Sequence, residues 1–156
     1  KGKILFFIVL ILASPTNMAH MAVDFRHAHN RQYPYFLSRD LVSALSWIEA
    51  NVSRGDVVLA PKDIANFIPP HAGCKVYLGH FAETKDYHRK LEAYNEFMLQ
   101  GTGDEYRIGV LKEGKISYVI FSKIGFAEIP FPADKKYWLS KVFENNAVVI
   151  YRVELL

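Results

Sequence analysis

Asp63, Asn66, His80, Glu83 and Thr84 are the side chains of this 156-residue sequence whose types and spacing could do chemistry. Asp63 and Asn66 follow the apolar run Val57 to Ala60, and His80, Glu83 and Thr84 follow Lys75 to Leu78. If the two runs are neighbouring parallel strands, all five leave the sheet from one carboxyl edge, where open α/β sheets receive ligands. Thr84 would open a helix whose unpaired amide groups, with His80 and Lys85 nearby, suit a phosphate or a carboxylate. The competing reading is purely structural. In it Thr84 caps the helix, Glu83 answers the positive end of the dipole, and His80 hydrogen-bonds a loop carbonyl. No metal is expected, because His80, Glu83, Asp86 and His88 span a loop-to-helix junction and share no face.

Absences narrow the chemistry further. The sequence has no G-x-G-x-x-G, no G-x-x-x-x-G-K-[ST], no G-x-S-x-G, no H-E-x-x-H and no C-x-x-C. Dinucleotide, P-loop, hydrolase-elbow and zincin chemistries are excluded, and no cofactor is called for. Cys74 is the single cysteine, so neither a disulfide framework nor a thiolate zinc site can form, and a small buried residue is expected there. Nineteen basic against sixteen acidic residues give a net charge of +3, too little to steer a polyanion, and no basic stripe interleaves the aromatics. Nucleic acid is not an expected partner.

The elements that must position these residues are legible from periodicity. Ser38 precedes a helix whose residues Leu41, Ala44, Leu45, Ile48 and Val52 fall on one face, and Gly55 stops it. Val57–Ala60 is a short, continuously apolar strand closed by Pro61, followed by a loop or single turn through Asp63, Asn66 and Pro69-Pro70. A second strand runs from Lys75 to Leu78. Thr84 opens a long helix with the stripe Tyr87, Leu91, Tyr94 and Met98, ended by Gly101. A shorter helix runs from Asp104 to Gly114, and Ile116–Ser122 is a third buried strand. Last, Leu139–Glu144 and Ala147–Val153 flank Asn145-Asn146, a dipeptide suited to the left-handed φ values of a hairpin turn. The expected fold is α/β, a small three-layer sandwich with a short, mainly parallel sheet extended by a C-terminal antiparallel hairpin.

A hydrophobic N-terminal helix should precede this domain. Ile4 to Ala13 reads ILFFIVLILA, and no charge intervenes through Val23. The ten residues alone cover only about 15 Å of helix, but the twenty uncharged residues reach the length of a membrane span. Residues 1–23 therefore read as the end of a transmembrane helix or as a membrane anchor, in a chain cut from something longer, since Lys1 follows no Met; a signal peptide and a buried element of the soluble core are the alternatives. Lys1 and Lys3 place the preceding side in the cytoplasm. Residues 24–34, with His27 and His29, read as a polar connector without a helical stripe, and 35–156 as the soluble α/β domain.

Several segments together carry a family resemblance. The helix with Trp47-Ile48, the strand Val57–Ala60, the segment Gly79-His80 with Glu83-Thr84, and the late strand with Tyr118-Val119 resemble the C-terminal soluble region of polytopic GT-C membrane glycosyltransferases. That class uses lipid-phosphate-linked sugars. The resemblance runs from about Tyr33 to Val153, and the GHFAET segment with the preceding aromatic-rich helix is its distinctive part. It implies a last membrane helix followed by an extracytoplasmic α/β domain, and a transferase whose catalytic acid lies in the membrane part. No catalytic residue carries over to this sequence. The implied function is that of a non-catalytic exterior domain that packs over the membrane portion of the same polypeptide and helps admit a lipid-linked sugar or a glycan acceptor. The alternative, of another class, is a membrane-anchored small-ligand-binding or sensor domain using the His80–Thr84 loop on an anionic group.

Overall fold

A computed structural model describes residues 18–30, 36–123 and 131–155. The chain divides into two compact units, Lys1–Ser38 and Arg39–Leu156. In the first, residues 18–29 form a helix, α1, exposed along its length. Helix therefore runs through Asp24 to His29, where the sequence suggested a connector. Its lack of an apolar stripe fits its exposure but did not prevent helix formation. The run Ile4–Ala13 lies outside the described residues. Among those described, no helix is long and apolar enough to cross a membrane.

The second unit is α/β with helices on both faces of a five-stranded mixed sheet. Its helices are α2 (Arg39–Asn51), α3 (Lys62–Ala65), α4 (Ile68–Ala72), α5 (Tyr87–Met98) and α6 (Asp104–Glu113). Its strands are β1 (Val57–Leu59), β2 (Lys75–Val76), β3 (Ile116–Ser122), β4 (Leu139–Glu144) and β5 (Val148–Val153), in the order β2-β1-β3-β5-β4. Both β2 and β3 run parallel to β1, whereas β5 runs antiparallel to β3 and β4. The expected parallel trio with an added hairpin is the observed sheet.

Side-chain alternation sorts the strands between two cores. Val119 and Phe121 of β3, with Val149 and Tyr151 of β5, turn to the face covered by Phe97 of α5 and by Val110 and Leu111 of α6. Ile120 and Ile150 point the other way, toward α2, whose Leu41, Ala44, Leu45 and Ile48 are buried. Trp47 of α2 meets Tyr118 and Phe143 on that face, with ring centroids 6.5 and 5.5 Å apart. Burying Leu45 alone stabilises the packing by about 1.5–3 kcal/mol.

Four local details depart from the periodic reading. The stretch after β1 holds two one-turn helices, α3 and α4. Pro69 and Pro70 sit in the first turn of α4, where no backbone donor is needed, and Gly73 closes it at φ +70°. Secondly, β2 is only two residues long, although the Tyr77 N–H still donates to the Val58 carbonyl at 2.9 Å. Thirdly, α5 begins at Tyr87, after Asp86 in a left-handed conformation, and not at Thr84. The N–H groups of Glu83 and Thr84 both donate to the His80 carbonyl, which closes a separate turn ahead of the helix. Fourthly, Asn145 and Asn146 do not take left-handed φ values. The Asn145 side-chain oxygen instead accepts from the N–H groups of Ala147 and Val148 at 2.9 and 3.0 Å, so the side chain and not the backbone sign shapes the turn.

At the end of α6, Gly114 has an ordinary helical φ of −75°, and the left-handed residue is Lys115 at φ +49°. The glycine is there for space. A Cβ on Gly114 would stand 2.8 Å from two carbons of the Tyr77 ring and 2.9 Å from Ile116 Cδ1. Gly114→Ala is expected to lower stability by about 1–3 kcal/mol through overpacking, read as a lower urea midpoint with an unchanged slope. Stability equal to that of the parent chain would show that the Tyr77 ring swings aside freely.

Candidate functional site

The loops after β1 and β2 leave from the same edge of the sheet. Gly79 is where they meet. A Cβ placed on it would lie 3.7 Å from Asn66 Oδ1 and 3.8 Å from Thr84 Oγ1, so these two side chains bracket the turn from opposite loops. Thr84 Oγ1 accepts the Gly79 N–H at 3.1 Å. Its hydroxyl thus braces the loop and caps no helix. The anion-receiving helix start expected at Thr84 is likewise absent, because the amides of Glu83 and Thr84 are already taken by His80.

His80 is exposed, and its Nδ1 accepts the Ala82 N–H at 3.3 Å. In the neutral ring this assigns the proton to Nε2, which leaves a donor on the outward nitrogen. The histidine therefore does not donate from Nδ1 to a loop carbonyl. Glu83 lies in the same turn, also exposed. Asp63 turns elsewhere, toward α5, where burial and the nearby Asp63 carboxylate push the Tyr94 hydroxyl up to about 12. His80, Glu83 and Thr84 thus share one turn, which Asn66 reaches from the loop after β1. No three His, Cys, Asp or Glu side chains come together as a metal set among the described residues.

Aromatic residues that the polar pattern overlooked complete the rim. The Phe81 side chain is 64% exposed at the apex of the turn, with the His80 ring 4.7 Å away and tilted by 40°. Tyr87 approaches edge-on at 6.5 Å, and Lys62 Nζ stands 5.9 Å over the Tyr87 ring. A bulky apolar residue inside a polar turn, GHFAET, was the available signal. Cys74, by contrast, is buried, and desolvation pushes its thiol up, away from reactivity.

The opposite edge holds a cleft of about 350 Å³ lined in part by Asp56, Ser117, Tyr118 and Arg152. Its polar groups are largely spoken for. Ser117 donates to Asp56 at 2.9 Å, and Arg152 is paired with Glu154 at 2.6 Å. The rim around Gly79 is the better candidate.

No family model matches the sequence, and no curated protein matches it. Solved structures do match. One is the crystal structure of the C-terminal globular domain of an oligosaccharyltransferase from Archaeoglobus fulgidus, with a TM-score of 0.60 at 15% sequence identity. The likeness covers 76% of this chain and 99% of that one. At that identity it is a likeness of fold alone, over the matched part of this chain.

Proposed function

We propose that this chain is the exterior, non-catalytic domain of a membrane glycosyltransferase that uses a lipid-phosphate-linked sugar. The observation that carries the reading is the fold it shares with nearly the whole of an oligosaccharyltransferase globular domain. The GHFAET segment, on which the sequence resemblance to GT-C transferases rests, supports it from the other side by forming the rim of the candidate site. The domain lies on the extracytoplasmic side and packs over the membrane portion of the same polypeptide. There its rim helps admit or orient a lipid-linked sugar or a glycan acceptor.

The test is a double substitution, His80→Ala with Glu83→Ala, in the polypeptide that carries this domain behind its membrane spans. Both residues are exposed, so unfolding free energy should stay within about 0.5 kcal/mol of the parent. The rate of transfer from a lipid-phosphate-linked sugar in vesicles should fall about tenfold, equivalent to roughly 1.4 kcal/mol of lost transition-state binding. Lost stability with an unchanged rate in the folded protein would end the reading, since the two residues would then only brace a loop.

A further inference from the structure

We infer that the turn after β2 is a sugar-stacking platform, with Phe81 as its floor. The inference rests on the glycosyltransferase reading and deepens it by naming what the rim takes. Phe81 contributes nothing to the buried core of the domain and stands largely in water. It nonetheless has two ring neighbours that restrain it, the tilted His80 ring at 4.7 Å and the Tyr87 ring, T-shaped to it, at 6.5 Å. A fixed, exposed aromatic face is prepared for a flat apolar partner, because little freedom remains to be lost on binding.

The surroundings of the ring define that partner. Lys62 and Lys85 stand beside Asp63, Glu83 and Asp86, so the neighbourhood has no excess of positive charge and does not select a phosphate or an anionic headgroup. What it does offer is a mixture of donors and acceptors. These are the outward Nε2–H of His80, the amide of Asn66 and the Glu83 carboxylate. A sugar ring has the matching duality, an apolar C–H face for the aromatic floor and a border of hydroxyls for the polar rim.

Topology puts the platform where such a ligand would arrive. Asn145 Nδ2 donates to the Asp40 carbonyl at 2.7 Å, which pins the first turn of α2 to the β4–β5 turn. Ser122 pairs with Val148, so that turn lies at the edge where β3 ends, the edge from which the β1 and β2 loops also leave. The polypeptide thus enters the domain on the platform's own edge.

The test is aromatic-resonance NMR on the whole chain in a zwitterionic lysophospholipid, since glycosidic detergents would compete. Glucose, mannose, galactose and N-acetylglucosamine are titrated singly. At least one should shift the Phe81 and Tyr87 ring signals saturably, with a Kd of about 1–10 mM. Phe81→Ala should abolish the shifts while leaving the amide spectrum in place, and Phe81→Trp should retain them. Rings unmoved by all four sugars, or shifts that persist in Phe81→Ala, overturn the platform. So do rings that move only when an anionic lysolipid is added, which would mark a lipid contact. The two readings fail separately. Saturable binding at Phe81 with transfer insensitive to His80 and Glu83 keeps the platform and ends the transferase role, and the reverse pattern ends the platform alone.

Discussion

An Arg107→Ala chain is expected to lose about 3–5 kcal/mol of stability, a large share of the roughly 5–15 kcal/mol that a domain commonly has. Arg107 is 2% exposed, the only buried charged side chain among the described residues. Its guanidinium closes the end of α5. Nε donates to the Phe97 carbonyl at 2.9 Å, one terminal nitrogen to the Thr102 carbonyl and the other to the Leu99 carbonyl, both at 2.5 Å. The face of the group lies over the Phe131 ring, 3.9 Å from its centroid, and Asp104 stands 3.8 Å from a terminal nitrogen. Alanine would leave the Phe97 and Thr102 carbonyls without the donor they have here and the Leu99 carbonyl with only the Thr102 N–H at 3.3 Å, each lost partner costing about 1–3 kcal/mol unless water replaces it, and would remove a cation–π contact. Burial draws the pKa of the guanidinium down, opposed by Asp104 and Glu96. Arg107→Lys should recover only part of the loss, since one ammonium cannot span three acceptors in a fork. Urea unfolding of the two variants measures both. An alanine variant within 1 kcal/mol of the parent, a margin well below the usual cost of a broken buried network, would refute this role.

Phe121→Ala should cost a similar amount, about 3–5 kcal/mol, for an apolar reason. Phe121 is 1% exposed at the centre of a file of rings that ties α5 to the sheet. It meets Phe131 at 5.5 Å and Tyr151 at 5.7 Å, both edge to face, and Phe131 in turn meets Phe97 at 5.8 Å. Truncation leaves a cavity and breaks two ring pairs, each worth about 0.5–1.5 kcal/mol beyond burial. A double-mutant cycle with Phe131→Ala should therefore show positive coupling. Additive losses would mean that the rings touch without cooperating. Tyr151→Phe is the control, because its hydroxyl reaches only the exposed Asp134, at 2.9 Å. It should change little.

Elements fixed by burial periodicity were legible in the sequence. The limits of β3 follow from an apolar run between turn residues, the end of β4 from the Asn145-Asn146 turn, and the buried face of α2 from 3.6 spacing. Where one hydrogen bond chooses between near-equal alternatives, residue type misled. Thr84 is a good helix cap by type, yet the Gly79 N–H claims its hydroxyl. Asn145 favours a left-handed turn by type, yet its side chain makes the turn from an ordinary φ. At the candidate site, the carboxyl-edge rule placed Asn66, His80, Glu83 and Thr84 around one turn. It could not foresee Phe81, because periodicity reports which residues a fold buries and is silent on an apolar residue the fold leaves out. Arg107 was invisible for a related reason. A charged residue in a helix reads as solvated until the carbonyls at the end of another helix are known to converge on it.

The position of β5 has a consequence for biosynthesis. Among the described strands it comes last in the chain, yet it occupies an inner place in the sheet, between β3 and β4. Until the ribosome has released the residues through Val153, the seven-residue segment ISYVIFS has an open flank, and it carries no charge to repel another nascent copy. The hairpin that covers this flank also receives the start of α2 through Asn145, across 105 residues of sequence. The native sheet of this unit is therefore complete only once β5 has been made, however early its helices form. Slow codons across β4 and β5 are expected to prolong the exposure of that flank and to favour inclusion bodies over native protein.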